Sequence, residues 1–264
     1  LKADFAANAS HELRTPIASI KGAAETLMGP ARDDERMAGR LIEMIASNAS
    51  RLELLASDLL DLSKLEADDL PVEIQELDLA TTIETVFTEC MPNAQRRDVR
   101  LKMQIEDPIT RVHTDGSLMK LMLRNLVSNA IKFAHEGTSV RVIAEQQPVP
   151  TDRTAPPPDA LSADHTGILI RVVDKGVGIP MEHQQRVFER FYQVDEARSG
   201  TAAKRGTGLG LAIVKHAARR LGGAVALESI YQSGTTVSIE LPRCIEQVDA
   251  PTQESGPPHG LSGE

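Results

Sequence analysis

The chain has no tryptophan, and aromatic residues make up only 3% of its 264 positions. A core built from it must be aliphatic, and nucleic-acid recognition by base stacking has few side chains to work with. Excess positive charge is lacking too. Lys+Arg number 29 against 38 Asp+Glu, a formal net charge of −9, which argues against a polyanion-binding surface and so against nucleic acid as a partner. The two cysteines, Cys90 and Cys244, lie far apart without metal-like spacing, and both read as free thiols in a reducing compartment. No apolar run approaches the roughly 18 residues of a membrane-spanning helix, and no basic-then-apolar leader opens the chain. It begins at Leu1 rather than Met, close before His11, which predicts a fragment whose sensory or membrane part lies upstream.

What is present is an ordinary globular proportion, 41% hydrophobic and 25% charged, over a length sufficient for one large or two ordinary domains. Near the start, Leu13, Ile17, Ile20, Ala24 and Leu27 recur at helical steps and predict one buried stripe on a helix over residues 1–29. At about 100° per residue His11 falls roughly 160° from Leu13 and faces solvent, with Thr15 about 40° further round and Glu12 on the flank. Pro16 removes a backbone donor inside this helix and predicts a bend. From Ala38 the positions Ala38, Leu41, Ile45, Asn48, Leu52, Leu55, Leu59 and Leu62 alternate steps of three and four, a coiled-coil seam. Two such helices cannot bury their apolar surface as a lone hairpin, which predicts a homodimer closing a four-helix bundle. Asn48 is either a register-fixing amide in that seam or a solvated rim position.

Residues 67–71 read as a polar linker, and residues 72–243 as a second domain. Its pattern predicts helices over 79–97 and 115–134 and from about 209, and strands over 99–105, 111–113, 140–145, 168–174, 225–229 and 235–241. Mixed in this order they suggest an α+β sandwich, one layer of sheet and one of helices. The proline-rich stretch 146–167 reads as a flexible insertion and 244–264 as a disordered tail.

On the 115–134 helix, Asn125, Asn129 and Lys132 fall within about 60° of one another, opposite Leu123, Leu126, Val127 and Ala130. Two amides and an ammonium on one face suit a metal-bridged polyphosphate, with an amide oxygen on Mg²⁺; a solvated polar face is the plainer alternative. An apolar strand then ends in Asp174-Lys175-Gly176-Val177-Gly178-Ile179-Pro180. A carboxylate in that turn can accept from the exocyclic amine of adenine and would reject the carbonyl of guanine. Gly206-Thr207-Gly208-Leu209-Gly210 opens a helix whose free amides can meet phosphate. Before it, residues 193–205 are polar and rich in small residues, carry Lys204 and Arg205, and look like a lid, with Phe188 and Phe191 placed to pin one end.

The string His11-Glu12-Leu13-Arg14-Thr15-Pro16, followed by Asn125 with Asn129, the Asp174 turn, the Phe188 segment, the Gly206 loop and Ser233-Gly234-Thr235-Thr236, resembles the homology boxes of bacterial sensor histidine kinases in their order. The tract Ala-Asn-Ala-Ser before His11, with Glu25-Thr26-Leu27, is similar to that of the phosphate-responsive sensor kinases. The resemblance covers residues 1–243 or so. It implies two domains: an all-α helical hairpin (1–66) that dimerises into a four-helix bundle, and a Bergerat (GHKL-type) ATP-binding α+β sandwich (72–243). It implies autophosphorylation of His11 from ATP and Mg²⁺, then transfer to an aspartate on the receiver domain of a response regulator. Glu12 would orient the imidazole, Arg190 would contact the γ-phosphate, and Thr15 would position a water for dephosphorylating the regulator. The nucleotide would be held by Asn125, Asn129, Lys132, Phe133, Asp174, Gly176, Gly178, Ile179, Lys204, Arg205, Gly206, Thr207, Gly208, Leu209, Gly210 and Thr235, with the metal on Asn129. A hinge about the linker would bring donor and acceptor together, and the chain would be the cytosolic portion of an inner-membrane sensor. Two features depart from the pattern, the proline-rich insertion and Ala134-His135 where a hydroxyl residue is often found. An ATP-driven clamp of the Hsp90 kind would use the same pocket without His11, and a dimerising scaffold would need no nucleotide.

Overall fold

Three aspartates decide where helices begin. Asp34 Oδ1 accepts from the amides of Arg36 and Met37, both at 3.0 Å, and starts α2 (Glu35–Glu66). Asp78 accepts from Thr81 N at 2.7 Å ahead of α3 (Leu79–Arg96), and Asp115 from Ser117 N and Leu118 N ahead of α4 (Gly116–Phe133). Each satisfies amide donors that a helix leaves free in its first turn. The computed structural model describes residues 2–29, 34–67, 71–106, 111–148, 166–194 and 206–242. The linker residues 68–70, most of the proline-rich stretch and the tail lie outside these.

Helix α1 (Lys2–Met28) contains Pro16 and runs antiparallel to α2 as the expected hairpin, tied by an ion pair between Glu12 and Arg51 at 3.1 Å. The seam of α2 divides in two. Ala38, Leu41 and Ile45 are only half-buried, whereas Leu55, Leu62 and Leu65 are 1%, 0% and 7% exposed. The three leucines belong to the apolar cluster of the C-terminal half, so this part of the seam packs on the second domain. Ile17, expected on the buried stripe of α1, is 53% exposed in the single chain.

The second domain is a five-stranded mixed sheet covered by helices, its strands in the order Arg100–Ile105, Ser139–Pro148, Thr166–Val173, Gly234–Pro242 and Ala224–Ile230. Strands β2 (Arg100–Ile105) and β4 (Ser139–Pro148) run parallel; β5 (Thr166–Val173), β7 (Gly234–Pro242) and β6 (Ala224–Ile230) complete it with antiparallel pairings. Alternation along the strands explains the layering. Val140, Val142 and Ala144 of β4 are buried, as are Ile168, Ile170 and Val172 of β5. They meet Ile83 and Val86 of α3, Met122, Leu123 and Val127 of α4, and Ile213 and Val214 of α6 (Gly210–Arg220) in one core. This is the expected α+β sandwich.

Details differ from the sequence reading. Gln75–Asp78 forms a strand, β1, paired antiparallel with β3 (Arg111–Thr114); four residues with one half-buried side chain leave almost no periodic signal. The β4–β5 ladder continues to Pro148 opposite Thr166, which narrows the stretch expected to be flexible over 146–167. A short helix, α5 (Met181–Gln184), follows the Asp174 turn.

Candidate active site

Helix α1 presents His11 to solvent, as its periodicity required. The imidazole borders a cleft of about 310 Å³ lined by Asn8, His11 and Glu12 of the stalk and by Arg186, Glu189, Arg190, Phe191 and Tyr192 of the second domain. Thr15 Oγ1 donates back to the His11 carbonyl at 3.3 Å. Glu12, expected to orient the imidazole, instead accepts from Arg51 Nη2. A guanidinium on the neighbouring helix competes effectively for a half-buried carboxylate. Arg190, expected at a phosphate, pairs with Glu66 at the end of α2. Tyr192 is held by His183 Nδ1 at 2.6 Å and by the Arg186 guanidinium, 4.2 Å above its ring centre, so the segment before residues 195–205 is anchored.

The nucleotide candidates gather at one end of α4. Its last turn meets the Asp174 loop. His135 N donates to Lys175 O at 3.0 Å, Val177 N to Phe133 O at 3.1 Å, and Ala134 and Gly176 form a bridge. A side chain at Gly176 would collide with the Phe133 carbonyl, so this approach requires glycine. On the other side the glycine turn lies against the amide face. A Cβ added at Gly206 would sit 2.9 Å from Lys132 Nζ, and one at Gly210 would sit 3.0 Å from Asn125 Oδ1 and 3.3 Å from Asn129 Nδ2. Gly208 has φ +71 and backs onto Phe191, linking this turn to the phenylalanine segment. Phe133 is 41% exposed, with Lys132 Nζ 4.8 Å from its ring centre.

Asp174 is the electrostatic centre of this end. Its amide donates to Thr235 O at 2.9 Å, its side chain is 9% exposed, and Oδ1 is buried with no hydrogen-bond partner among the described residues. Burial pushes its pKa up to about 6, while amide hydrogen bonds from Thr235 and Gly176 and the nearby His135 pull the other way. A desolvated carboxylate oxygen lacking a donor fits the amine edge of adenine. Ile179 and Thr235 are placed through Ser229, whose hydroxyl accepts from Ile179 N at 2.8 Å and meets Thr235 Oγ1 at 2.9 Å. The Thr235 hydroxyl is thus already engaged. Lys204 and Arg205 lie outside the described residues.

Thr207 is turned elsewhere. Its hydroxyl donates to Asp58 of α2 at 2.5 Å, both residues being buried, and its oxygen accepts from Leu209 N at 3.2 Å. Burial raises the Asp58 pKa, opposed by this hydrogen bond. Asp58, Glu66 and Arg51 were not singled out from sequence. For Asp58 a signal existed, since an acid within about 60° of Leu55 and Leu62 on an apolar stripe must have a buried partner. Asp61 pairs with Arg124 at 3.6 Å, and Arg220 donates to the Ala67 carbonyl at 2.7 Å, closing the same interface.

Residues 1–68 match the family described as His Kinase A (phospho-acceptor) domain, and residues 114–245 that described as Histidine kinase-, DNA gyrase B-, and HSP90-like ATPase. The chain is 34% identical over 243 residues to Sensor-like histidine kinase SenX3 of Mycobacterium tuberculosis, covering 92% of this chain and 54% of that protein. It is 30% identical over 236 residues to the phosphate regulon sensor protein PhoR of Pseudomonas aeruginosa, covering 89% and 49%. The fold is similar to that of the Acinetobacter baumannii histidine kinase AdeS, with TM-score 0.63, 22% identity and coverage of 88% and 98%. It is also similar to histidine kinase ThkA in complex with response regulator protein TrrA, with TM-score 0.69, 21% identity and coverage of 92% and 62%. A helical phospho-acceptor hairpin joined to a GHKL-type sandwich defines the class. The chain belongs to the family of histidine kinase-, DNA gyrase B- and HSP90-like ATPases, with a His Kinase A phospho-acceptor domain ahead of that match, and it spans about half the length of the SenX3 and PhoR relatives it matches. Among the described residues no helix is long and apolar enough to cross a membrane.

Proposed function

We propose that the chain is an ATP-dependent histidine autokinase that phosphorylates His11 and passes the phosphoryl group to an aspartate of a response regulator. The observation that carries this is the cleft in which exposed His11 faces Arg186 and Arg190 of the ATP-binding half. Bound ATP supplies the γ-phosphoryl group, with Mg²⁺ offsetting its charge. Asn129, Asn125 and Lys132 would hold that phosphate and metal end, and Asp174 Oδ1 the adenine amine. A nitrogen of His11 attacks phosphorus; the N–P bond forms as the P–O bond to ADP breaks. Glu12, fixed by Arg51, supplies negative charge beside the ring as positive charge develops on it. Arg190 must exchange Glu66 for phosphate, which requires the two halves to move about residues 67–71.

The exposed side chains Ile17, Ile42, Met44 and Leu54, all on the hairpin, support a homodimeric four-helix bundle. Thr15, one turn from His11 on the exposed face, would place a water for dephosphorylating the regulator. As part of a sensor kinase, these residues would work in the cytosol. The test is H11Q with γ-labelled ATP and Mg²⁺. Acid-labile label on the protein is lost while nucleotide affinity is unchanged; label that persists overturns the assignment. Steady phosphate release without any phosphoprotein would instead indicate a clamp-type ATPase.

A further inference from the structure

Asp58 lies on the stalk and Thr207 in the glycine turn of the other domain, 149 positions apart, yet they share a 2.5 Å hydrogen bond that neither loses to water, with 4% and 5% exposure. The Thr207 hydroxyl does two things at once. It donates to Asp58 Oδ2 and accepts from Leu209 N at the entrance to α6. A carboxylate drawing on the proton of a hydroxyl makes its oxygen a stronger acceptor, so charge on the stalk tightens the turn itself. Immediately either side of Thr207 and Leu209 are the two glycines, Gly206 and Gly210, that approach Lys132 and the amides of Asn125 and Asn129. The same helix of the stalk grips Arg190 through Glu66, so α2 touches the catalytic half at both the glycine turn and the phenylalanine segment.

We propose that Asp58 is a positioning residue of the nucleotide site: acting through Thr207, it fixes the glycine turn in its phosphate-binding shape, so that the stalk sets the grip on ATP. This rests on reading the chain as an ATP-dependent autokinase. It gives the stalk a second task besides carrying the phospho-acceptor. A rotation or bend of α2 that withdraws Asp58 loosens the turn and weakens nucleotide binding without touching His11. Neither Asp58 nor the stalk needs to contact the nucleotide for this.

The experiment titrates the full chain and its D58N, T207V, T207S and D58N/T207V variants with a fluorescent ATP analogue and Mg²⁺, alongside autophosphorylation rates against ATP concentration. D58N keeps the size of the side chain and removes its charge. T207V is expected to weaken binding about tenfold, the scale of one lost hydrogen bond to a charged group, and D58N several-fold, because its amide oxygen still accepts from the hydroxyl but without the charge. T207S, which retains the hydroxyl, keeps most of the affinity, and the double variant is no weaker than T207V alone because both changes act on the same link. The KM for ATP rises by the same factor while the maximal rate changes less, a split that general loosening of the fold would not produce. Circular dichroism melts identify any variant that fails to fold, and T207S against T207V then carries the comparison. Unchanged affinity in D58N, fully additive losses, or tighter binding in D58N would each overturn the proposal, the last by making the stalk a competitor of the nucleotide. A wild-type chain that binds no nucleotide would instead sink the autokinase reading; wild type that binds, with variants that match it, sinks only the role of Asp58.

Discussion

Replacing Asp174 by Asn should stabilise the nucleotide-free protein at neutral pH. The carboxylate titrates near 3.8 when free and about 6 in the folded chain because it is buried, an effect that amide hydrogen bonds from Thr235 and Gly176 oppose only in part. The folded state therefore holds the proton more tightly than the unfolded state. The stability this confers is complete below about pH 4 and is lost as the pH rises through 6. At about 1.4 kcal/mol per factor of ten in proton affinity, the ionised carboxylate costs the fold about 3 kcal/mol at pH 7 and above. D174N carries no such charge, so its advantage over wild type should grow from nothing near pH 4 to about that value by pH 7. For a domain of this size that is on the order of 5–10 °C in melting temperature. Nucleotide reverses the order. ATP with Mg²⁺ donates its amine to the ionised form, so wild type gains on binding, D174N gains much less, and wild-type affinity declines as the pH falls below 6. The assay is thermal unfolding of both proteins from pH 4 to 8, with and without ATP. Melting curves that run parallel over this range would show that Asp174 is not a desolvated carboxylate and would remove the main support for adenine recognition here.

G208A should reduce affinity for an ATP analogue at least tenfold while the far-ultraviolet spectrum is kept, because the position has φ +71 and an added Cβ would lie 2.7 Å from the Phe191 backbone. R51A leaves Glu12 half-buried without the guanidinium that fixes it, and should slow autophosphorylation several-fold, about 1 kcal/mol, with unchanged ATP affinity; an unaltered rate would show that Arg51 does not place Glu12 for the chemistry. L62A removes a fully buried side chain at the junction of the halves and should cost about 2–5 kcal/mol. Faster amide exchange in α6 would report it, and protection equal to wild type would place Leu62 outside the interface.

Local chemistry was readable in the sequence, and partnership over distance was not. His11 could be placed in solvent from its phase against Leu13, although Ile17 on the same stripe is itself exposed, and helical phase likewise put Asn125, Asn129 and Lys132 on the face that meets Gly206 and Gly210. The layers of the sandwich followed from alternation in β4 and β5. What failed was the use made of a correct pattern. Leu55 and Leu62 lie on a true seam, but periodicity says that a stripe is buried and not what covers it. The choices of Glu12 for Arg51, Arg190 for Glu66 and Thr207 for Asp58 depend on how separate helices meet, which no local signal carries. The strand Gln75–Asp78 leaves no local signal because its pairing with β3, and hardly any burial of its own, defines it.

Burying Leu55, Leu62 and Leu65 in the core of the ATP-binding half has a consequence for how such a protein can be switched. Separating the halves returns three leucines to water, about 2 kcal/mol each, so detached molecules would number roughly one in ten thousand at rest. A stimulus reaching the stalk therefore has a definite size of task. It must strain the helices by several kcal/mol before a detached population becomes appreciable, and weaker inputs would leave the ensemble docked and quiet.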